Sequence, residues 1–282
     1  MAKHLSIIGP LLAAALIVAR GEAAQSQAPE GRAKTAVFQP LIADPKEPQF
    51  FAAYLWERSA RLGSRLGSVG FGQTFAVAGG RDWEVSIAAA VFSQFDLARA
   101  TADLMNTDYR VGVPVTYRHA ALTARFQLYH QSSHLGDEYM AHTNAQRVDL
   151  SFEAAELLVA RDIANWRIYG GGEYTFTHSP ADLKPGVLHG GLEYRPPGVL
   201  LRVGRLAAGR LVAAVDAKSF EDRRWDVGWS AVTGLELGDP SGRPESGWRW
   251  SVLLKAYTGP APYGEFFRDR VSSLGLGIGL TL

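Results

Sequence analysis

His130 and Ser132 are the residues of this sequence whose types and spacing are best suited to chemistry. They continue the parity of an alternating apolar set, which consists of Leu122, Ala124, Phe126 and Leu128. Because a strand places alternate side chains on opposite faces, both residues should lie on the apolar face. On the next predicted strand, the even-numbered Val148, Leu150 and Phe152 form the apolar set. Asn144 is also even-numbered, so it should lie on the same face. A hairpin would then bring an imidazole, a hydroxyl and a carboxamide together.

A second candidate site follows this strand directly. Asp137, Glu138 and His134, with His142 nearby, place carboxylates and imidazoles in one loop, and both are suitable ligands for a divalent cation. Their spacing matches no recognised ligand pattern, and an acidic surface loop is the simpler interpretation. We therefore expect no cofactor, with a loop-bound divalent cation as the alternative.

The elements that carry these residues are strands. Most of the extended segments approach the roughly 9 to 11 residues that a tilted strand needs to cross a bilayer, and no apolar run of about 18 residues follows Val18. Apolar and polar residues alternate most clearly in 225–237 and 248–257, where paired tryptophans are typical of an interfacial girdle. The twelve predicted segments are 49–58, 66–77, 83–93, 109–118, 122–132, 146–161, 166–177, 187–195, 211–219, 224–237, 247–258 and 270–282.

Both ends of the sequence indicate the same compartment. The last segment alternates Leu or Ile with small residues from Leu274 to Leu282, as a strand does when it closes a barrel against lipid. At the other end, Lys3 and His4 precede an apolar run that ends at Val18, which is typical of a secretory signal peptide. We predict a signal peptide over 1–23, a periplasmic lead-in over 24–48 and a barrel over 49–282, in the outer membrane of a Gram-negative bacterium.

The predicted fold is all-β: a transmembrane, antiparallel, up-and-down β-barrel of about twelve strands. A soluble sandwich or lipocalin-like barrel also alternates, but it would have to bury these apolar faces. Segment 199–203 is open to two interpretations, as one more strand or as part of a long turn. The expected partners are outer-membrane lipid, lipopolysaccharide and the barrel-assembly machinery, which would contact the C-terminal strand.

Polar residues on the opposite face of these strands predict what fills the barrel. Opposite charges in this number favour a salt-bridged plug over a conductive path, because a barrel of about twelve strands leaves little room inside. The lumen residues predicted in this way are Arg125, Gln127, Arg147, Asp149 and Glu153.

Composition excludes other classes of function. The chain has no cysteine, so it has neither a disulfide framework nor a thiolate metal site. A formal net charge of +1 and the absence of basic runs argue against a nucleic-acid partner.

Three strings resemble a bacterial family catalogued as domain of unknown function 1207. They are FQPLIADP at 38–45, SSHLGDE at 132–138 and RIYGGG at 167–172, of which the second is the most specific. The similarity covers most of the mature chain. It implies an outer-membrane barrel with no assigned activity, and it supplies no catalytic residues.

The spacing of His130, Ser132 and Asn144 is also similar to that of outer-membrane phospholipase A, in which His-x-Ser is followed by an Asn twelve residues after the Ser. The resemblance implies that Ser132 attacks an ester, His130 takes its proton and Asn144 orients the imidazole. That family follows its Ser with Asn-Gly, where this chain has Ser133 and His134.

The sequence therefore predicts an outer-membrane barrel with a structural or small-solute role in the envelope. The alternative is a lipid hydrolase with Ser132 as nucleophile and His130 as base.

Overall fold

A computed structural model describes residues 36–59, 62–204, 207–238 and 249–281. The predicted signal peptide, the first part of the predicted lead-in and Leu282 lie outside these ranges. No helix in the described ranges is long and apolar enough to cross a membrane.

Thirteen strands make up most of the described chain, and the one α-helix among these residues, α1, spans Asp137–Thr143. Two 3₁₀ turns occupy Glu221–Arg223 and Gly264–Phe266. The strands are β1 Phe50–Ser59, β2 Arg65–Gly79, β3 Trp83–Asp96, β4 Asp103–His119, β5 Leu122–Leu135, β6 Ser151–Ile163, β7 Trp166–Ser179, β8 Gly186–Tyr194, β9 Val199–Val203, β10 Ala207–Phe220, β11 Asp226–Gly238, β12 Arg249–Pro260 and β13 Arg270–Thr281.

Twelve of these strands close into a barrel. Each pairs antiparallel with its neighbours, and β13 returns to β1 with a register that runs from Phe50 opposite Leu280 to Ser59 opposite Val271. Closure gives each of the twelve barrel strands a neighbour on both sides, so the first and last strands do not form open edges. The predicted antiparallel barrel of about twelve strands is confirmed.

The thirteenth strand, β9, resolves the open question about segment 199–203. It pairs only with β10, at Ala207 to Arg210, beyond the point where β8 stops pairing opposite Ala213. Pro196 and Pro197 lie between β8 and β9. Proline has no N–H to donate to a ladder, so β8 must end there, and β9 resumes the position beside β10.

The outward face is apolar, as the alternation predicts. Trp229, Val252 and Ile278, on three neighbouring strands, are each about half exposed, whereas inward-facing Val232 and Leu253 are buried. Such a surface of exposed tryptophan and aliphatic side chains is suited to hydrocarbon rather than water.

Residues 36–48 lie inside the barrel, which corrects the prediction of a periplasmic lead-in for this part of the chain. Leu41 and Asp44 are buried almost completely. At one end of the segment the Arg118 guanidinium donates to the Val37 carbonyl, and at the other Lys46 pairs with Asp108. Arg118 and Asp108 lie ten residues apart on β4, so the segment extends along the lumen from the β4–β5 turn toward the opposite mouth. We call residues 36–48 the lumen segment.

Charge pairs hold the lumen segment in place. Arg125 Nη1 lies 2.8 Å from Glu47 Oε1, and Lys218 Nζ lies 2.9 Å from Asp44 Oδ1. The backbone N–H of Ile42 also donates to Glu193 on β8, over 2.8 Å. A buried charge is costly unless it is paired. These ion pairs therefore stabilise both the inner wall and the lumen segment.

The Lys218–Asp44 pair provides a test of this arrangement. We expect Lys218→Met to lower the free energy of unfolding by about 3 to 5 kcal/mol, because it leaves the Asp44 carboxylate buried without its partner. Adding Asp44→Asn should restore much of the lost free energy of unfolding, since neither residue of the pair is then charged. Urea unfolding in detergent, followed by tryptophan fluorescence, measures both changes.

Arg147→Ala is the matched control, because Arg147 pairs with Asp137 in an exposed loop. It should change stability by no more than about 0.5 kcal/mol. Asp44→Asn is measured alone as well, and a double variant whose loss equals the sum of the losses of Lys218→Met and Asp44→Asn would contradict a coupled buried pair.

Candidate functional site

Strand β5 divides the candidate residues between the two faces of the wall. Its odd-numbered residues from Thr123 to Leu135 are buried toward the lumen, and its even-numbered residues face outward. His130, Ser132 and His134 therefore lie on the outer wall, beyond the lipid-facing Phe126 and Leu128.

His130 meets Glu153 on this outer wall. The two residues are directly opposite in the β5–β6 register, and His130 Nδ1 lies 3.0 Å from Glu153 Oε1. Ser132 is opposite Ser151. Because His130 and Ser132 are next but one on the same strand, they are neighbours on the outer face. The site thus combines a hydroxyl, an imidazole and a carboxylate.

The position of Glu153 corrects its prediction as a lumen residue. In β6 the buried, inward residues are Ala154, Glu156, Leu158 and Ala160. The odd-numbered residues therefore face outward, which is the reverse of the parity predicted for this strand, and Phe152 lines a cavity inside the barrel. The charge of Glu156 between the apolar Ala155 and Leu157 is the sequence signal that could have given the correct parity.

Asn144 does not join His130 and Ser132. It caps the C-terminus of α1 in the left-handed conformation (φ 54°, ψ 27°), donates its backbone N–H to the Met140 carbonyl and is exposed. It lies seven residues before Ser151, the residue opposite Ser132, and thus outside the paired strand. Asn tolerates a positive φ better than most residues, which accounts for its place at this cap.

The residues of the predicted loop ion site do not lie together. The ring of His134 contacts Tyr109, with centroids 5.8 Å apart, while Asp137 pairs with Arg147 at 3.0 Å. Glu138 lies exposed on α1. In the described ranges no three His, Asp or Glu side chains are grouped so that they could hold a metal ion.

Of the predicted lumen residues, the structure places two inside. Arg125 is buried between Glu47 and Glu156, and Gln127 is buried beside it on the same face. Arg147 and Asp149 instead lie exposed in the β5–β6 loop, which corrects their assignment to the lumen. They are outside the wall because α1 and its flanking residues occupy the stretch up to Leu150, so that β6 begins at Ser151 rather than near 146.

Further lumen groups were not predicted. Asp216 accepts hydrogen bonds from Tyr169 Oη over 2.6 Å and from His189 Nε2 over 2.7 Å, while Arg167 Nη1 donates to the Gln39 carbonyl over 2.8 Å. These contacts join parts of the chain that are far apart in sequence, and the lumen segment shows no periodicity that could reveal them.

A cavity of about 150 Å³ lies in the mouth of the barrel, above the lumen segment. Its floor includes Asp44 and Lys46, its wall includes Arg110, and the β12–β13 loop covers it at Tyr263 and Gly264. The Gly264 N–H donates to Asp108 over 3.1 Å, which holds this loop inward.

The neighbouring Glu265 fixes the same loop. Its backbone N–H donates to Asn106 Oδ1 over 3.0 Å, and its carboxylate accepts the N–H of Val148 over 2.6 Å. Burial raises the pKa of the Glu265 carboxyl, although the N–H groups that it accepts oppose this shift. Phe266 packs edge-on against Tyr139 of α1, with ring centroids 5.5 Å apart.

Comparison with solved structures shows the class of fold. Outer membrane phospholipase A from Escherichia coli superposes with a TM-score of 0.58 at 12% identity, covering 86% of this chain and 93% of that one. The Salmonella typhi phospholipase dimer with bound calcium gives 0.57 at 12% identity, covering 84% and 94%. LpxR from Salmonella typhimurium gives 0.43 at 10% identity, covering 82% and 99%. The two phospholipase superpositions show that the fold is that of the outer-membrane β-barrels.

The chain belongs to the family described as protein of unknown function (DUF1207), whose model matches residues 15–281. This confirms the family resemblance of the three sequence strings. No curated protein matches the sequence.

Cysteine labelling tests the two faces of β5, since the natural chain has no cysteine. Ser132→Cys should react with a water-soluble maleimide in detergent-solubilised barrels, because the side chain lies on the outer wall. Ser133→Cys is the matched control and should stay unreactive until the barrel is unfolded, because Ser133 is buried in the lumen. The reverse pattern would place the Ser132 hydroxyl inside the barrel.

Proposed function

We propose that this protein is a closed outer-membrane barrel that hydrolyses lipid esters on its outer wall. Ser132 is the nucleophile, His130 the base and Glu153 the residue that orients the base. The observation that carries the proposal is the 3.0 Å contact between His130 Nδ1 and Glu153 Oε1, on the same outward face as Ser132. Glu153 thereby takes the role that the resemblance to outer-membrane phospholipase A implied for Asn144.

The Glu153 contact sets the protonation of the imidazole. A carboxylate beside Nδ1 favours the tautomer with its proton on Nδ1, which leaves Nε2 free to accept one. The Ser132 hydroxyl can then lose its proton to Nε2 as its oxygen bonds to the carbonyl carbon of the ester. The ester C–O bond breaks, and the departing alcohol takes the proton from the imidazolium. Water repeats the sequence on the acyl-serine and releases the acid.

The depth of the site suits such a substrate. Tyr109, directly opposite Ser132 on β4, and Phe176 on β7 are each about half exposed, as expected of aromatic residues at a membrane interface. Toward the middle of the wall β5 continues with Leu128 and Phe126. A lipid ester lies at this boundary between headgroup and acyl chain, so a hydroxyl on the outer wall can reach it without the lipid entering the barrel.

The fold agrees with this proposal, since two of the structures that it resembles are phospholipases. We place the protein in the outer membrane of a Gram-negative bacterium, surrounded by phospholipid and lipopolysaccharide. The assembly machinery would recognise its last strand. The proposed reaction uses no cofactor.

A second candidate is a structural or small-solute role without catalysis. The packed lumen segment favours it, because a filled barrel stabilises itself and passes no large solute. In that case His130 and Glu153 form an ordinary surface pair.

Fatty-acid release from phospholipid micelles by the purified protein separates the two candidates. Ser132→Ala should abolish release, and Glu153→Gln should reduce it by about 10² to 10⁴-fold, because the amide no longer favours the required tautomer. Ser133→Ala is the matched control, since its hydroxyl lies on the opposite face of the same strand, and it should keep the activity. Each variant must retain the heat-dependent gel shift of an intact barrel.

Equal release by the natural protein and by Ser132→Ala would reject the enzyme. An unchanged rate in Glu153→Gln would show that the carboxylate does not orient His130.

A further inference from the structure

We propose that the mouth cavity binds a small monocarboxylate with an apolar body of about one aromatic ring, and that Arg110 holds the carboxylate. This site is separate from Ser132 and does not depend on the proposed hydrolysis. Three features support this inference: Arg110 is buried without an acidic partner, the cavity walls are mainly apolar, and the cavity volume is small.

Arg110 is a buried guanidinium that lacks an acidic partner. It is 6% exposed, its Nη1 donates only to the Lys46 carbonyl over 3.3 Å, and its Nε has no hydrogen-bond partner. The Tyr129 ring stacks on it, with the guanidinium carbon 3.8 Å from the ring centroid. Within the described ranges no Asp or Glu oxygen forms an ion pair with Arg110, and a buried cation in that state favours an anionic ligand.

Most of the other charges at this cavity already have partners. Lys46 pairs with Asp108, and Lys218 donates to both carboxylate oxygens of Asp44. Asp216 accepts from Tyr169 and His189, as described above. Asp222 pairs with Arg268 Nε over 3.7 Å. Two further charged residues line the cavity: Glu173 forms no ion pair within the described ranges, and Arg223 Nε has no hydrogen-bond partner. Arg110 is the more deeply buried of the two arginines at this cavity, so it gains most from an anionic ligand, and its planar fork matches a carboxylate.

The rest of the wall is mainly apolar and selects the body of the ligand. Its side chains include Leu150, Phe152, Val187, Phe220 and Phe267. Such a wall pays no desolvation penalty for a hydrocarbon group. Lys184, an exposed residue at the rim, marks the side on which the cavity opens to solvent.

The volume limits the size of the ligand. A cavity of about 150 Å³ lined by apolar side chains is known to accommodate benzene. One aromatic ring with a single carboxylate fits this space, whereas a phospholipid or an oligosaccharide does not. Benzoate is the simplest compound that meets these requirements.

Equilibrium dialysis of radiolabelled benzoate against the full-length protein in detergent tests the site, with benzyl alcohol as the uncharged analogue and protein-free micelles as the blank. We expect saturable benzoate binding. Arg110→Gln should weaken benzoate binding at least tenfold and leave benzyl alcohol binding unchanged, which also shows that the variant is folded. Arg147→Gln, at an exposed arginine that pairs with Asp137 outside the cavity, is the matched control and should bind benzoate normally.

A second variant tests whether the ligand occupies the cavity volume, rather than whether it needs the Arg110 charge. Val187→Trp should fill the cavity and remove the binding of both compounds. Ser132→Ala should bind benzoate like the natural protein, so the outcome is independent of the hydrolase proposal. The proposal is overturned if benzoate does not bind saturably, or if it binds Arg110→Gln as tightly as the natural protein.

Discussion

Buried charges on the inner wall of the barrel require partners, and the lumen segment supplies most of them. Arg125 and Lys218 project from the wall into an interior where an unpaired ion is costly, and Glu47 and Asp44 meet them there. Leu41 adds apolar contact with Leu158, Ala160 and Tyr169. The segment is consequently part of the core of the barrel rather than an approach to it, and its contacts stabilise the wall.

Because the lumen segment fills much of the barrel interior, the two candidate sites lie elsewhere on the barrel. One is the outer wall, where the register of β5 and β6 places Glu153 beside His130. The other is the mouth, where the β12–β13 loop folds over a cavity and leaves Arg110 without an acidic partner. Both follow from strand geometry: alternate side chains of β5 go inside and outside, so Tyr129 contacts Arg110 while His130, the next residue, faces lipid.

The sequence predicts the barrel well, because alternation with a period of two is a local property that a strand facing lipid cannot avoid. The outward direction of His130 and Ser132 follows from the same alternation. The start of β6 was not predictable in this way, since α1 and the residues after it displace the strand from about 146 to Ser151. The parity of Glu153 was predicted wrongly because it was counted from Val148, which lies in the loop. The lumen segment was missed for another reason. Its charges find partners as many as 174 residues away, and no local pattern records such a contact.

The lumen segment blocks the interior of the barrel, and conductance across planar lipid bilayers measures this blockage. The natural protein should insert without steady conductance. A variant in which residues 37–47 are replaced by a Gly-Ser sequence of equal length, and which still shows the gel shift of a folded barrel, should produce discrete conducting steps. Large, open channels in the natural protein, or a replaced variant that conducts no more than the natural one, would show that the lumen segment does not block the barrel.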